Sequence, residues 1–244
     1  ALERRRCVAH GQARRAQLVV AAGADLEIGW LPLVVRDSGN SAILRGRPGY
    51  FEAASFVTRL DVPSVLDRAN GDVHAAGNPH VHLDPRNVLK IGEALSKRMA
   101  ELDAEHAAAY QSHYQAFATC WQAAMARWEK EVVPLRGMPV LVHHDAFVYL
   151  ENWLGMKTVG LLEPKPGVEP TRGHLTDLLT RQQTMPAKMV LRAAYNQEAP
   201  SQWIAAKAAI PAVLLPFTVG GTPEAKDLFS LFDDTLQRLL KACQ

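Results

Sequence analysis

The chain has 244 residues, of which 48% are hydrophobic, and a formal net charge of +2. This composition is typical of a globular protein with one large or two ordinary domains, and the small charge gives no reason to expect nucleic-acid binding. No apolar run approaches the roughly 20 residues that span a bilayer, and three widely separated cysteines without a CxxC pair support neither a zinc ribbon nor a disulfide framework.

The N-terminal part predicts few regular elements. The stretch "AQLVVAAG" predicts a strand, and "ADLEIGWLPLVV" predicts a helix. Residues 37–76 are rich in Gly, Pro, Asn and Ser, which predicts a loop with one short helix near "EAASFVTRL". A loop of this length in a compact domain is usually functional or mobile.

The middle of the chain predicts two helices. Asp84 and Pro85 form a good N-cap and first-turn pair, and apolar residues then recur at helical spacing as far as Leu102. A second helix is predicted over residues 104–133. Its large apolar residues are spaced by three or four, which places them on one stripe: Tyr110, Tyr114, Phe117, Trp121, Met125 and Trp128. We expect this helix to be rigid and to join two lobes.

The C-terminal part alternates short apolar strands with helices. The predicted strands are Val140–Val142, after the breakers Gly137 and Pro139, and then "KTVGLLE", "KMVLRAAY" and "AVLLPF". The predicted helices are "AFVYLENWLG", ended by Gly155, then "RGHLTDLLTRQQ", capped by Thr171, "SQWIAAKAA", and a last helix over residues 227–241. Such alternation favours a parallel sheet covered by helices on both faces.

These elements predict an α/β fold with two lobes, each with a parallel sheet flanked by helices, joined by the long helix. The domain boundaries that follow are residues 1–103 for an incomplete N-terminal lobe, 104–133 for the linking helix and 134–244 for the C-terminal lobe.

Histidines concentrate in three regions, where they could bind a metal. They are His10 near the start of the chain, His74, His80 and His82 before the helix that begins at Pro85, and His143 and His144 after a strand. Neutral imidazole is the commonest metal ligand and suits zinc. Ligands gather at the carboxyl ends of parallel strands, so two such regions in two lobes strengthen the case for a shared metal site, with incidental surface histidines as the open alternative.

Several stretches together resemble a known family, the periplasmic solute-binding proteins of zinc and manganese ABC importers. They are "ADLEIGWLP", "GDVHAAGNPHVHLDP", "LVHHDAFVYLENWLG", "LEPKPGVEPT" and "LLPFTVGGTPEAKDLFSLFD". They cover the chain from about Ala24 to its C-terminus, in the family's order. The resemblance implies two α/β lobes joined by one long helix, with the metal bound between them.

The resemblance also implies metal ligands. His80 matches the histidine of the family's NPH element, and His144 matches the histidine that opens its HDAF element. The family's earlier histidine has no clear counterpart, because the N-terminus looks truncated or rearranged; His10 is the candidate substitute. The family's aspartate is replaced by leucine in Leu214-Leu215-Pro216, so Asp227 is the candidate carboxylate, although its position also suits the N-cap of the last helix.

The function implied is capture of zinc, or less readily manganese, as cargo for an ABC permease in the inner membrane. The expected protein is monomeric, periplasmic and not an enzyme, with its signal peptide absent from this chain. Two alternatives remain open at this point. One is a zinc-dependent hydrolase of amidohydrolase type, which would use the HxH pair His80 and His82. The other is a structural module with incidental histidines.

Overall fold

The computed structural model describes residues 11–63 and 75–244. They divide into two compact units, the first made of residues 11–63 and 75–120 and the second of residues 121–244. The boundary falls inside one helix, so this helix has residues in both units. None of the helices in the described part of the chain is long and apolar enough to cross a membrane.

The first unit contains a two-stranded parallel sheet, in which β1 (Val19–Ala21) pairs with β2 (Tyr50–Glu52). Two helices follow β1 and β2 in the chain, α1 (Leu31–Asp37) and α2 (Pro85–Leu102). The core around β1 is formed by small and aliphatic residues: Ala13, Ala21, Leu31, Val35 and Ile43. Near β2, Phe51 stacks on Phe56 with 4.6 Å between ring centroids. The guanidinium of Arg98 on α2 donates to the Pro48 carbonyl at 2.8 Å, which attaches α2 to the chain leading into β2.

Two N-terminal predictions were wrong in part. The predicted helix over "ADLEIGWLPLVV" begins only at Leu31, because Ala24 and Asp25 have φ values of +48° and +64°, in the left-handed region. The Glu27 carboxylate also accepts hydrogen bonds from the backbone of residues 22–23, which holds a turn instead of a helix. The strand β2 was missed because three residues give too short a pattern to read.

The long helix α3 (Ala107–Glu131) follows a 3-10 turn at Ala104–His106. Its apolar stripe is buried most deeply in the second unit, where Trp121 and Trp128 are fully buried and lie 5.2 Å apart, edge to face. Trp128 also stacks on Phe232 and donates from Nε1 to Asp233 at 2.6 Å. The stripe is therefore a packing surface there.

The second unit is a four-stranded parallel sheet with the order β4-β3-β5-β6. Its strands are β3 (Pro139–Val142), β4 (Lys157–Leu161), β5 (Met189–Ala193) and β6 (Ala212–Leu215). Its remaining helices are α4 (Val148–Leu154), α5 (Arg172–Arg181), α6 (Glu198–Ala208) and α7 (Leu228–Ala242). The predicted alternation of strands and helices is confirmed, and so is the α/β class with two parallel sheets and one long helix.

One core of the second unit lies under α5 and α6. It joins strand residues to helix residues: Leu141, Leu162, Leu175, Leu178, Ala187, Val190, Ile204 and Ala205. Gly160 permits close approach of α5 to β4, since a Cβ there would lie 2.8 Å from a methyl group of Leu178. The sheet order brings β3 between β4 and β5, which decides where the strand ends meet.

The Trp121 cluster predicts a large stability effect. Because Trp121 is fully buried against Trp128, Phe229 and Phe232, Trp121→Ala should lower the free energy of unfolding by about 3–5 kcal/mol. The exposed His113 lies on the same helix. The control variant His113→Ala should change the free energy of unfolding by less than about 0.5 kcal/mol. Urea unfolding followed by far-ultraviolet circular dichroism measures both; equal stabilities would contradict the packing role.

Candidate metal site

The backbone before His80 is fixed by a glycine turn and by a side-chain hydrogen bond. Gly77 has φ +95°, and a Cβ there would lie 2.8 Å from the Leu60 carbonyl oxygen, so the position requires glycine. The buried Asn78 accepts from the His80 amide at 3.0 Å through its side-chain oxygen. These contacts hold the backbone of His80 in one conformation before the chain enters the 3-10 turn Val81–Leu83.

The start of α2 secures the other side of this turn. The Asp84 side chain accepts from the Arg86 amide at 2.9 Å and caps α2 as predicted. It also forms an ion pair with the Arg86 guanidinium at 2.6 Å. The Asn87 side chain donates to the Val81 carbonyl at 3.1 Å. His80 is therefore held between a glycine turn and a capped helix.

His82 lies beside His80 in the same turn. The two rings meet edge to face, with 6.4 Å between centroids. Both residues are partly exposed.

His143 and His144 follow β3 and differ in their surroundings. His143 is 2% exposed, and burial lowers the pKa of its imidazole below the ordinary value. The His144 side chain is 25% exposed, and its Nδ1 lies 2.7 Å from Glu163 Oε2. This agrees with the prediction that two successive residues at the end of a strand point to opposite sides of the sheet, so that only one of the two histidines is accessible.

The sheet order places His144 at a topological switch point. The chain moves from β3 outward to β4, and then crosses to β5 on the other side of β3. In open parallel sheets, ligands bind in the crevice outside the carboxyl ends of the strands at this point. His144 follows β3, and Tyr195 follows β5, on the two sides of the switch.

A cluster of three aromatic side chains lies at the same edge of the sheet. Tyr195 packs against Phe217 with 5.1 Å between ring centroids, and Phe217 packs against Phe147 at 5.9 Å. Burial and the negative charge of Glu163 raise the pKa of Tyr195 to about 12. At neutral pH the phenol is therefore protonated, and it is a weak candidate for an anionic metal ligand.

Glu163 is the residue of this edge that the sequence analysis did not select. It lies two residues after the end of β4, and its carboxylate contacts the imidazole of His144, which follows the neighbouring strand β3. In the sequence, Glu163 is an acidic residue at the end of a predicted strand, in "LEPKPGVEP". Its proximity to His144 could not be predicted without knowing that β4 pairs with β3.

Asp227 caps the last helix. Its side chain accepts from the Ser230 amide at 2.7 Å, and the Ser230 hydroxyl lies 2.9 Å from the Asp227 amide, which completes a capping box. The hydrogen bonds from Ser230 lower the pKa of Asp227. Leu215, which stands in the leucine-for-aspartate element, is fully buried. The capping role is thus observed, and the ligand role of Asp227 stays a prediction.

The glycines after β6 form a turn. The Gly220 amide donates to the Ala225 carbonyl at 2.6 Å, and the Gly221 amide donates to the Thr218 carbonyl at 2.9 Å. Any Cβ on Gly221 would overlap the Pro216 carbonyl. Both amides are therefore used in hydrogen bonds within the loop.

The four predicted metal ligands are distributed over the chain. His80 belongs to the first unit, His144 and Asp227 belong to the second, and His10 lies outside the described residues, as does His74. Within residues 11–63 and 75–244, no three or more His, Cys, Asp or Glu side chains form a group that could hold a metal ion.

Comparison with known proteins finds a family model that matches nearly the whole chain and relatives that match part of it. A family model described as the periplasmic component A of the zinc-uptake complex, ZnuA, matches residues 10–242. The high-affinity zinc uptake system protein ZnuA of Brucella abortus (strain 2308) is 31% identical over 99 residues. That alignment covers 41% of this chain and 30% of the length of the Brucella protein.

Solved structures share the fold. A crystal structure of ZnuA superposes with a TM-score of 0.74 at 21% identity, covering 96% of this chain and 83% of the other. The cadmium-bound periplasmic metal-binding protein of candidatus liberibacter asiaticus gives 0.74 at 13% identity, with the same coverage. Since the family model matches nearly the whole chain, this protein belongs to the ZnuA family, the periplasmic component A of zinc-uptake complexes.

Proposed function

We propose that this protein captures a divalent transition metal, zinc before manganese, and delivers it to an ABC-type permease in the inner membrane. The family is that of a periplasmic zinc-uptake component. The relatives from Brucella are named for high-affinity zinc uptake. The proposal places this chain in the periplasm, as a monomer that holds the metal as cargo.

One observation in the structure supports this proposal above the others. His144 lies at the switch point of the sheet, and its Nδ1 is paired with the Glu163 carboxylate. Metal-binding histidines almost always donate their second ring N–H to a carboxylate, a carbonyl or a water. The pairing leaves Nε2 of His144 as the nitrogen that can bind a metal.

The proposed ligands are His80 and His144, with His10 and Asp227 as the candidates that complete the set. Imidazole nitrogen with one carboxylate favours zinc, whereas a site richer in carboxylates favours manganese. This proposal makes zinc the preferred cargo and manganese a weaker competitor.

The hydrolase alternative has less support. An amidohydrolase-type site belongs to a closed barrel of eight strands, whereas the strands in the described residues form two open parallel sheets. The family is one of solute-binding components, not of enzymes. The HxH spacing of His80 and His82 is therefore a feature of the turn before α2.

The first prediction of this proposal concerns the two histidines. Because each would supply a direct ligand, His80→Ala and His144→Ala should each weaken zinc binding by more than about 100-fold, beyond the 10–100-fold typical of outer-shell partners. Competition with a zinc-sensitive chelator measures the affinity. His113→Ala is the matched control, because His113 is exposed on α3, and His82→Ala tests the neighbouring imidazole. Unchanged stoichiometric binding in the double variant His80→Ala/His144→Ala would refute the proposal.

A second prediction separates the two roles of Asp227. Asp227→Ser keeps a good N-cap and removes the carboxylate, whereas Asp227→Ala removes both. If Asp227 binds zinc, both variants lose affinity, and only Asp227→Ala also lowers the melting temperature of the metal-free protein, by a few degrees. We expect this pattern; wild-type zinc affinity in Asp227→Ser would show that Asp227 is a cap alone.

A third prediction concerns catalysis. The zinc-loaded protein should hydrolyse a panel of simple esters and amides no faster than free zinc at the same concentration, because cargo ligands leave no activated water beside a general base. Initial rates with and without zinc provide the measurement. Turnover that disappears in His82→Ala would support the hydrolase instead.

A further inference from the structure

The contact between Glu163 and His144 joins two residues that are 19 positions apart in the sequence. Glu163 Oε2 lies 2.7 Å from His144 Nδ1, and the Glu163 side chain is only 12% exposed. The two residues follow neighbouring strands, so the pairing of β3 with β4 sets their distance. A partly buried charged hydrogen bond of this length is stronger than one between neutral groups.

The carboxylate is also held by its own loop. The Gly167 amide donates to the same oxygen, Glu163 Oε2, at 2.8 Å. Gly167 has φ +77°, and the Val168 amide donates to the Lys165 carbonyl at 3.0 Å, so the loop turns back toward Glu163. The Glu163 amide donates to the His143 carbonyl at 3.1 Å, which continues the ladder between the two strands. Rotation of the carboxylate away from His144 would therefore break a second hydrogen bond.

This geometry determines which imidazole nitrogen carries the proton. An ionised carboxylate only accepts hydrogen bonds, so the nitrogen that faces it must be the donor. In a neutral imidazole the other nitrogen then holds the free lone pair. For His144 the donor is Nδ1 and the lone pair is on Nε2.

We infer that Glu163 is a positioning residue of the metal site: it selects the Nδ1–H form of His144 and fixes the ring so that Nε2 binds the metal. The inference rests on the proposed function for its consequence, metal affinity, and on the contact alone for the tautomer. For a free imidazole ring, metal binding includes the free-energy cost of orienting the ring and of changing its tautomer. The ring held by Glu163 already has the orientation and the tautomer that metal binding requires.

The tautomer is measured first, in metal-free protein. Two-bond nitrogen–proton NMR correlations of His144, assigned by comparison with His144→Ala, should show Nδ1 protonated in the wild type. Glu163→Ala should shift the ring to a mixture of both tautomers. Glu163→Gln should keep the wild-type pattern, because its amide oxygen can accept from both His144 and Gly167. Glu169→Gln is the matched control, since Glu169 is an exposed acid of the same loop.

Zinc affinity is measured next on the same variants. Glu163→Ala should bind zinc about 10–100-fold more weakly than the wild type, with Glu163→Gln between them and Glu169→Gln unchanged. Protonation of Nε2 in the wild type, an unchanged tautomer in Glu163→Ala, or equal affinities for Glu163→Ala and Glu163→Gln would overturn the inference. If the wild type binds no zinc but shows the expected tautomers, the proposed function is wrong, whereas the effect of Glu163 on the His144 tautomer still holds.

Discussion

Parallel pairing of four strands brings all their carboxyl ends to one edge of the second unit, and the candidate site depends on this constraint. In the order β4-β3-β5-β6, the residues after each strand become neighbours: His144 after β3, Glu163 after β4, Tyr195 after β5 and Phe217 after β6. An antiparallel sheet with the same residues would send half of them to the opposite edge. The hydrogen bond from His144 to Glu163, the cluster of three aromatic side chains and the switch point all follow from this parallel strand order.

The two best candidate ligands are held by different means. His80 is held by the Gly77 turn, which packs against the Leu60 carbonyl, and by the Asp84 cap. His144 is held by a carboxylate from the next strand of the sheet. The position of His144 therefore depends on the pairing of β3 with β4, and the position of His80 on the turn that precedes α2.

The family resemblance implies an aspartate ligand, and this chain has a leucine at the matching position. Leu215 fills the expected position and is buried in the core. Asp227 already satisfies the amide of Ser230, which is the ordinary work of an N-cap. A carboxylate oxygen has more than one lone pair, so capping and metal binding are compatible, and the substitution of Asp227 by serine separates them.

The sequence by itself determined the features that depend on neighbours three or four residues away. The caps Asp84 and Thr171 were predicted correctly because each accepts from an amide within three residues. The apolar strands of the second unit were predicted from their short continuous apolar runs, which are typical of parallel sheets. The family and the histidine candidates also came from short motifs, although the comparisons were needed to establish the family.

Only the tertiary structure decided the features that depend on pairing between distant segments. The strand β2 exists because Tyr50–Glu52 pairs with Val19–Ala21. Glu163 contacts His144 because β4 lies beside β3. Strand order is set by how whole layers pack, so no pattern of neighbouring residues contains it.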